Sequence, residues 1–256
     1  MKVYIVLPCY NEALSLEALL PRIQATMQAL PFPYEVVVVN DGSVDATLAV
    51  AQRWATLLPV RIVDHGVNKG LGEALKSGLL TTGNESQPED LIVTMDADNT
   101  HPPESIPTLI AKIDSGADVV IASRYVAGAE EIGLSARRKI LSRVASSLLR
   151  TFFPVKNVMD YTCGYRAYRA TTIKQAIQIY GELFVQERGF TSIVDILLKL
   201  RKLGISASEI PLVLHYDFKA GESKMPVMKT ILRYWTVISR NLSAPGARPF
   251  RYVALD

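Results

Sequence analysis

Residues 91–107 read LIVTMDADNTHPPESIP. An apolar run, Leu91 to Met95, ends abruptly in Asp96-Ala97-Asp98. So short and continuous a run fits a strand covered on both faces. In extended chain, residues i and i+2 point the same way, so Asp96 and Asp98 aim at one spot. Two like charges that close repel unless a positive charge lies between them. A divalent cation with oxygen ligands suits that position. The competing reading is a turn, in which Asp bonds its own backbone.

The same kind of strand recurs on either side of this stretch. Apolar, β-branched runs stand at 3–7, 35–40, 60–63 and 119–123, and helical spacing stands between them near 15–30, 45–56, 70–82 and 103–115. Strand–helix alternation predicts an α/β fold with a mostly parallel central sheet and helices on both faces. Pro21 interrupts the first helical pattern and predicts a kink or a late start. Beyond residue 124 the pattern loosens. It predicts helices at 137–152, 189–203 and 226–241, an extended piece at 160–169 and a strand near 210–216. The expected organisation is one domain over 1–241, with an irregular tail over 242–256.

Composition narrows the class. The chain has 256 residues, 49% of them apolar, enough for a sizeable core. A net charge of +3 makes no demand for nucleic acid. Two cysteines, Cys9 and Cys163, argue against a disulfide framework and for reduced thiols in a cytoplasmic setting. The N-terminal "KVYIVLP" has no charged-then-apolar leader, so no signal peptide is expected. No apolar run approaches the roughly 18 residues of a membrane span.

Open α/β sheets bind ligands beyond the carboxyl ends of their strands. There the chain carries its polar punctuation: "PCYNE", "NDGSVDAT", "DAD" and "SRY". Tyr10 offers a ring to stack on a base, and Glu12 an acceptor for base or ribose; a capped loop is the alternative. Asp41 suits a ribose or base contact, and Asp45 suits a helix N-cap. "NKGLGEALKSG" lacks both G-x-G-x-x-G and G-K-[ST]. Gly70 and Gly72 are therefore expected to be turn and close-packing glycines, with Lys69 as a ligand contact. His65, His101 and His215 show no metal-ligand spacing and are read as structural.

The ordered series "PCYNE", "NDGSVDAT", "NKGLGEALKSG", "MDADNTHPPESIP", "ASRYVAG", "RRKILSR", "DYTCGYRAYR" and "GESKM" resembles glycosyltransferase family 2, and within it the polyprenol-phosphate sugar synthases. The resemblance covers roughly residues 2–230. It implies a GT-A fold, a nucleotide-sugar donor of the GDP-mannose or UDP-glucose type, and Mg²⁺ or Mn²⁺ as cofactor. It places the metal on Asp96 and Asp98, with Asp96 toward the nucleotide. Thr100 stands where relatives often carry Gln or Ser, and its hydroxyl would contact the metal or its water. Pro8, Tyr10, Glu12, Asp41, Lys69, Asp96, Ala97 and Lys224 would line the donor. Arg124 and Arg138 would hold an acceptor phosphate. Phe218 occupies the place of a third family arginine, leaving Lys219 beside it as the substitute. Asp195 falls where these synthases carry Glu and would act as base or orient an arginine, completing a catalytic set with Asp98 and Arg124.

The implied activity is inverting transfer of a sugar to a polyprenyl or dolichyl phosphate. Two alternatives differ in kind: the same chemistry on a hydroxyl acceptor, such as a glycolipid or polysaccharide, and a nucleotide-sugar-binding protein without turnover. A nicotinamide dehydrogenase is disfavoured because its fingerprint is missing. Residues 136–156, ARRKILSRVASSLLRTFFPVK, hold six basic residues and no acid, with Ile140, Leu141, Val144, Leu148 and Phe152 at helical spacing. This pattern predicts either an interfacial helix or an ordinary surface helix packed on the core. Expected partners are a lipid-phosphate acceptor, the cytoplasmic face of a membrane bound peripherally, and a membrane partner protein or a second copy; Tyr234 and Trp235 suit either an anchor or a dimer contact.

Overall fold

The computed structural model describes residues 1–218, 233–239 and 241. The chain opens with strand β1 (Val3–Cys9), helix α1 (Ala13–Gln28), β2 (Tyr34–Asn40), α2 (Thr47–Ala55), β3 (Val60–Asp64), α3 (Leu71–Glu85) and β4 (Leu91–Thr94). It continues with α4 (Ile106–Asp114), β5 (Val119–Ser123), β6 (Glu130–Ile132), α5 (Ala136–Phe152), β7 (Arg166–Arg169) and α6 (Ala170–Tyr180). Helix α7 (Thr191–Lys202) and strands β8 (Ala207–Pro211) and β9 (Val213–His215) follow, and 233–239 is helical.

Seven strands form one sheet in the order β3-β2-β1-β4-β7-β5-β8. Its pairs are parallel except at β7, which runs antiparallel between β4 and β5. The strand is four residues long, Arg-Ala-Tyr-Arg, so the expected extended piece at 160–169 narrows to Arg166–Arg169. Residues 160–165 instead form a loop below the sheet's functional end. Helix α6 was not expected at all. Its start, Ala170-Thr171-Thr172, reads as β-branched continuation of a strand, yet Ile173 and Ala176 are fully buried against the core. The single strand anticipated near 210–216 divides into β8 in the main sheet and β9 paired with β6.

Helix α1 runs through Pro21 instead of starting after it. The proline removes one backbone bond, but Leu16, Leu19, Leu20 and Ile23 are fully buried, and that burial favours the continuous helix. Asp45 lies one residue outside the expected cap. Its Oδ1 accepts from Thr47 N at 3.0 Å, and its Oδ2 accepts from Ala13 N at 3.2 Å, joining the starts of α1 and α2.

Gly70 and Gly72 behave as anticipated. Gly70 has φ 97°, and a Cβ on Gly72 would lie 1.7 Å from the Glu187 carbonyl oxygen. The loop before α7 therefore rests directly on the start of α3. Cys9 and Cys163 are buried and unbridged. Burial and the nearby Asp160 carboxylate push the Cys163 thiol up to about 12. Among the described residues no helix is long and apolar enough to cross a membrane. Lys219, Lys224 and half of the expected helix at 226–241 lie outside the described residues.

Candidate active site

A cavity of about 660 Å³ opens beyond the carboxyl ends of β1, β2, β4 and β5. Pro8, Tyr10, Glu12, Asp41, Asp96, Ala97, Asp98, Thr100, Arg124 and Arg138 all line it. Lys69 borders a smaller adjoining hollow with Asn68, Glu73 and Arg188.

Beyond β4 the chain turns sharply at Asn99, whose φ is 64°. Asn tolerates this left-handed conformation better than most residues. The turn brings Thr100 back onto Asp98: Thr100 N and Oγ1 donate to Asp98 Oδ1 at 3.2 and 2.6 Å. Arg22 of α1 donates to Asn99 Oδ1 at 2.7 Å and pairs with Glu104, clamping the turn from outside. Asp98 is buried, while the Asp96 side chain keeps 36% of its surface exposed at the cavity.

His101, read from sequence as structural, belongs to this wall. Its Nδ1 accepts from Asp96 N at 3.1 Å, and its ring stacks on Tyr165 at 5.1 Å. Among the described residues no group of three or more His, Cys, Asp or Glu side chains is arranged to hold a metal. Two carboxylates match a hard cation that completes its shell with water and substrate phosphates, the usual arrangement for Mg²⁺. The donor set fits such an ion; it does not form an all-protein cage.

Asp41 is less open to a ligand than its sequence position suggests. Its Oδ1 accepts from Lys69 N at 2.9 Å and lies 2.8 Å from His65 Nδ1; its Oδ2 accepts from Gly70 N at 2.8 Å. The second His65 nitrogen is 2.9 Å from Ser77 Oγ. Asp41 thus fastens the loop that precedes α3.

Arg124 lines the cavity and also has an internal partner. Its Nε and Nη2 each donate to the Asp160 carboxylate at 2.7 Å, and Nη2 also donates to Thr162 Oγ1 at 2.6 Å. Burial alone would raise the Asp160 pKa, but attraction to Arg124 and bonds from that guanidinium and nearby backbone amides outweigh it and hold the carboxyl low. The same pairing raises Arg124 well above its ordinary value despite burial. Much of the charge expected for an acceptor phosphate is therefore balanced internally. Arg138 has a neutral partner instead: its Nη1 donates to Tyr216 Oη, and its guanidinium lies 5.6 Å from that ring centre.

Asp195 is not among the residues lining the cavity. It is 1% exposed in the middle of α7, where Oδ2 accepts from Lys199 Nζ at 3.0 Å and from Gln186 N at 2.8 Å. Its i, i+4 spacing to Lys199 was present in the sequence. Phe218 stacks on His215 at 4.6 Å. The sequence reading also passed over Asp160, Arg188, Tyr216 and Arg233. Asp160 lay within a quoted motif without a role; the others reach the cavity through loops and a helix that carry no local signature.

Residues 4–176 match the family model for Glycosyl transferase family 2. The chain belongs to that family. It is similar to the dolichol-phosphate mannosyltransferase of Pyrococcus furiosus, 34% identical over 96% of this chain and 65% of that protein. The chain thus spans just under two thirds of that relative's length. It is also similar to the undecaprenyl-phosphate mannosyltransferase of Micrococcus luteus, 35% identical over 88% of each chain. Glucosyl-3-phosphoglycerate synthase from Mycobacterium tuberculosis, solved with Mn²⁺, UDP and phosphoglyceric acid, shares the fold with a TM-score of 0.64 and 20% identity, over 94% of this chain and 77% of that one. The family 2 fold here is GT-A, and the chain is a glycosyltransferase.

Proposed function

We propose that this glycosyltransferase moves a sugar from a nucleotide-sugar donor to the phosphate of a polyprenyl phosphate, with inversion at the anomeric carbon. The observation that carries this reading is a single cavity with a carboxylate pair on one wall and guanidinium groups on another. Asp96 and Asp98 would hold Mg²⁺ or Mn²⁺, with Thr100 fixing the Asp98 rotamer through its hydroxyl. When bound, that ion supplies Lewis-acid stabilisation to a diphosphate leaving group. Pro8, Tyr10, Glu12 and Ala97 line the donor side; Asp41 acts there by holding the 65–70 loop.

On the acceptor side Arg138 offers a guanidinium to phosphate, held by Tyr216. Arg124 shapes the pocket through its bond to Asp160. Phosphate monoesters lose their second proton near pH 6, so this acceptor is already nucleophilic at neutral pH. No strong general base is required, which agrees with Asp195 being committed to Lys199. A hydroxyl acceptor would require one, and Asp195 does not line the cavity. The names of the relatives make a mannosyl donor the first to test. Exposed apolar side chains on α5, beside Arg138, would bring the cavity to the membrane that carries the acceptor.

The test is a matrix of GDP-mannose, UDP-glucose and related donors against a polyprenyl phosphate and a matched polyprenol, with and without Mn²⁺. Metal-dependent glycosyl transfer to the phosphate alone supports the reading. Transfer to the alcohol, or donor binding without any transfer, would replace it.

A further inference from the structure

Many of the described arginines already have partners within the protein. Among the described residues, Arg22, Arg53, Arg61, Arg124, Arg143 and Arg169 each lie within 4.0 Å of a carboxylate. Arg166 and Arg201 donate to backbone carbonyls. Arg188 and Arg233 both line the cavity, yet neither forms an ion pair or side-chain hydrogen bond with a described residue. A guanidinium facing a cavity without a counter-ion is a ready acceptor site for an oxyanion.

Both arginines reach one cavity, although 44 intervening residues separate them in sequence. The Arg188 carbonyl accepts from Gly72 N at 2.8 Å, which pins its backbone to the start of α3. A Cβ on Gly70 would come within 2.6 Å of that carbonyl oxygen, so glycine is what permits the approach. On the far side, a Cβ on Gly189 would lie 3.6 Å from Arg233 Nη1. The neighbouring acid, Glu187, accepts from Thr191 Oγ1 at 2.9 Å. Arg124, by contrast, already has Asp160 as a counter-ion.

We propose that Arg188 and Arg233 form a phosphoryl-binding pair on the wall of the cavity, additional to Asp96 and Asp98. The chemistry is common to the diphosphate of a nucleotide donor and the monophosphate of an acceptor. Only the choice between those two sources rests on the proposed transferase reading.

The experiment titrates the chain with inorganic pyrophosphate and, separately, with a water-soluble isoprenyl monophosphate. It compares wild type with Arg188→Gln, Arg233→Gln and the corresponding Lys variants. Each Gln variant is expected to weaken at least one probe about tenfold and to flatten its salt dependence; Lys should recover part of the affinity by restoring charge without the planar fork. Loss with pyrophosphate alone assigns the pair to the donor, and loss with the monophosphate alone assigns it to the acceptor. Unchanged melting temperatures show that the fold is intact, as expected for side chains with no ion-pair partner among the described residues. Gln variants that bind both probes like wild type overturn the pair, as does a wild type that binds neither. If wild type binds, the Gln variants lose binding, and no donor is ever turned over, the transferase reading fails while the pair stands.

Discussion

The Thr100 hydroxyl helps aim the Asp98 carboxylate, and that makes Thr100 a useful probe. Thr100→Val keeps the shape while removing the 2.6 Å bond. Partners that orient a metal ligand typically contribute 10–100-fold in affinity or activity. Thr100→Val is accordingly expected to lower Mn²⁺-dependent nucleotide affinity about tenfold in calorimetry, and Asp98→Asn to lower transfer by roughly a hundredfold or more. Metal-dependent affinity that is unchanged in Asp98→Asn would remove the metal from this site. Asp160 illustrates the opposite use of a carboxylate. It is fully buried against Arg124, so Asp160→Asn strands a charge and should cost about 3–5 kcal/mol. The sign of its pH effect follows from its lowered pKa. Its contribution is present above the unfolded value of about 3.9 and is lost as pH falls through the lower folded value. Melting curves from pH 5 down to pH 2 should show a steeper acid loss in wild type than in an Arg124→Met/Asp160→Leu variant. Neither partner choice was legible beforehand: the sequence marked Arg124 and Asp160 as motif residues, but their pairing spans 36 positions.

At the scale of elements, α5 presents three different faces. Arg138 and Ser142 meet the cavity, and Ser146 and Leu149 are buried. Ile140, Val144, Leu148 and Phe152 remain 61%, 51%, 38% and 41% exposed. Arg143 and Arg150 lie exposed on the same helix. An exposed apolar stripe beside basic residues suits an anionic bilayer. Ile140→Ser with Val144→Ser is expected to weaken sedimentation with anionic vesicles by about tenfold or more, since two apolar side chains leave the interface. High salt should weaken wild type further. Equal binding by the double variant, with a native circular dichroism spectrum, would remove α5 from the membrane. Helix α3 gives a second element-level test. Its Gly72 meets the 187–188 backbone so closely that Gly72→Ala must displace one of them, at about 1–3 kcal/mol. A melting temperature equal to wild type would show that the two segments are not in contact in solution.

For the whole molecule, the local signals and the long-range ones divide cleanly. Continuous apolar runs and strand–helix alternation were enough to specify an α/β molecule with its ligand end at the strand termini, because both signals repeat within a few residues. The i, i+2 carboxylates just beyond β4 were legible for the same reason. The sheet order was not. Strand β7 enters antiparallel between β4 and β5, and its four residues carry too little periodicity to mark a central strand. Nor could sequence alone separate a side chain that faces a ligand from one already held by the protein. Arg124, Asp41 and Asp195 have suitable chemistry and suitable positions, but their partners are supplied by loops and helices distant along the chain or one turn away. Residue type and spacing determined which chemistry was available. Tertiary structure decided which charges were neutralised internally and which, as at Arg188 and Arg233, were left facing the cavity, because charge pairing depends on distances of a few ångströms that the linear order does not encode.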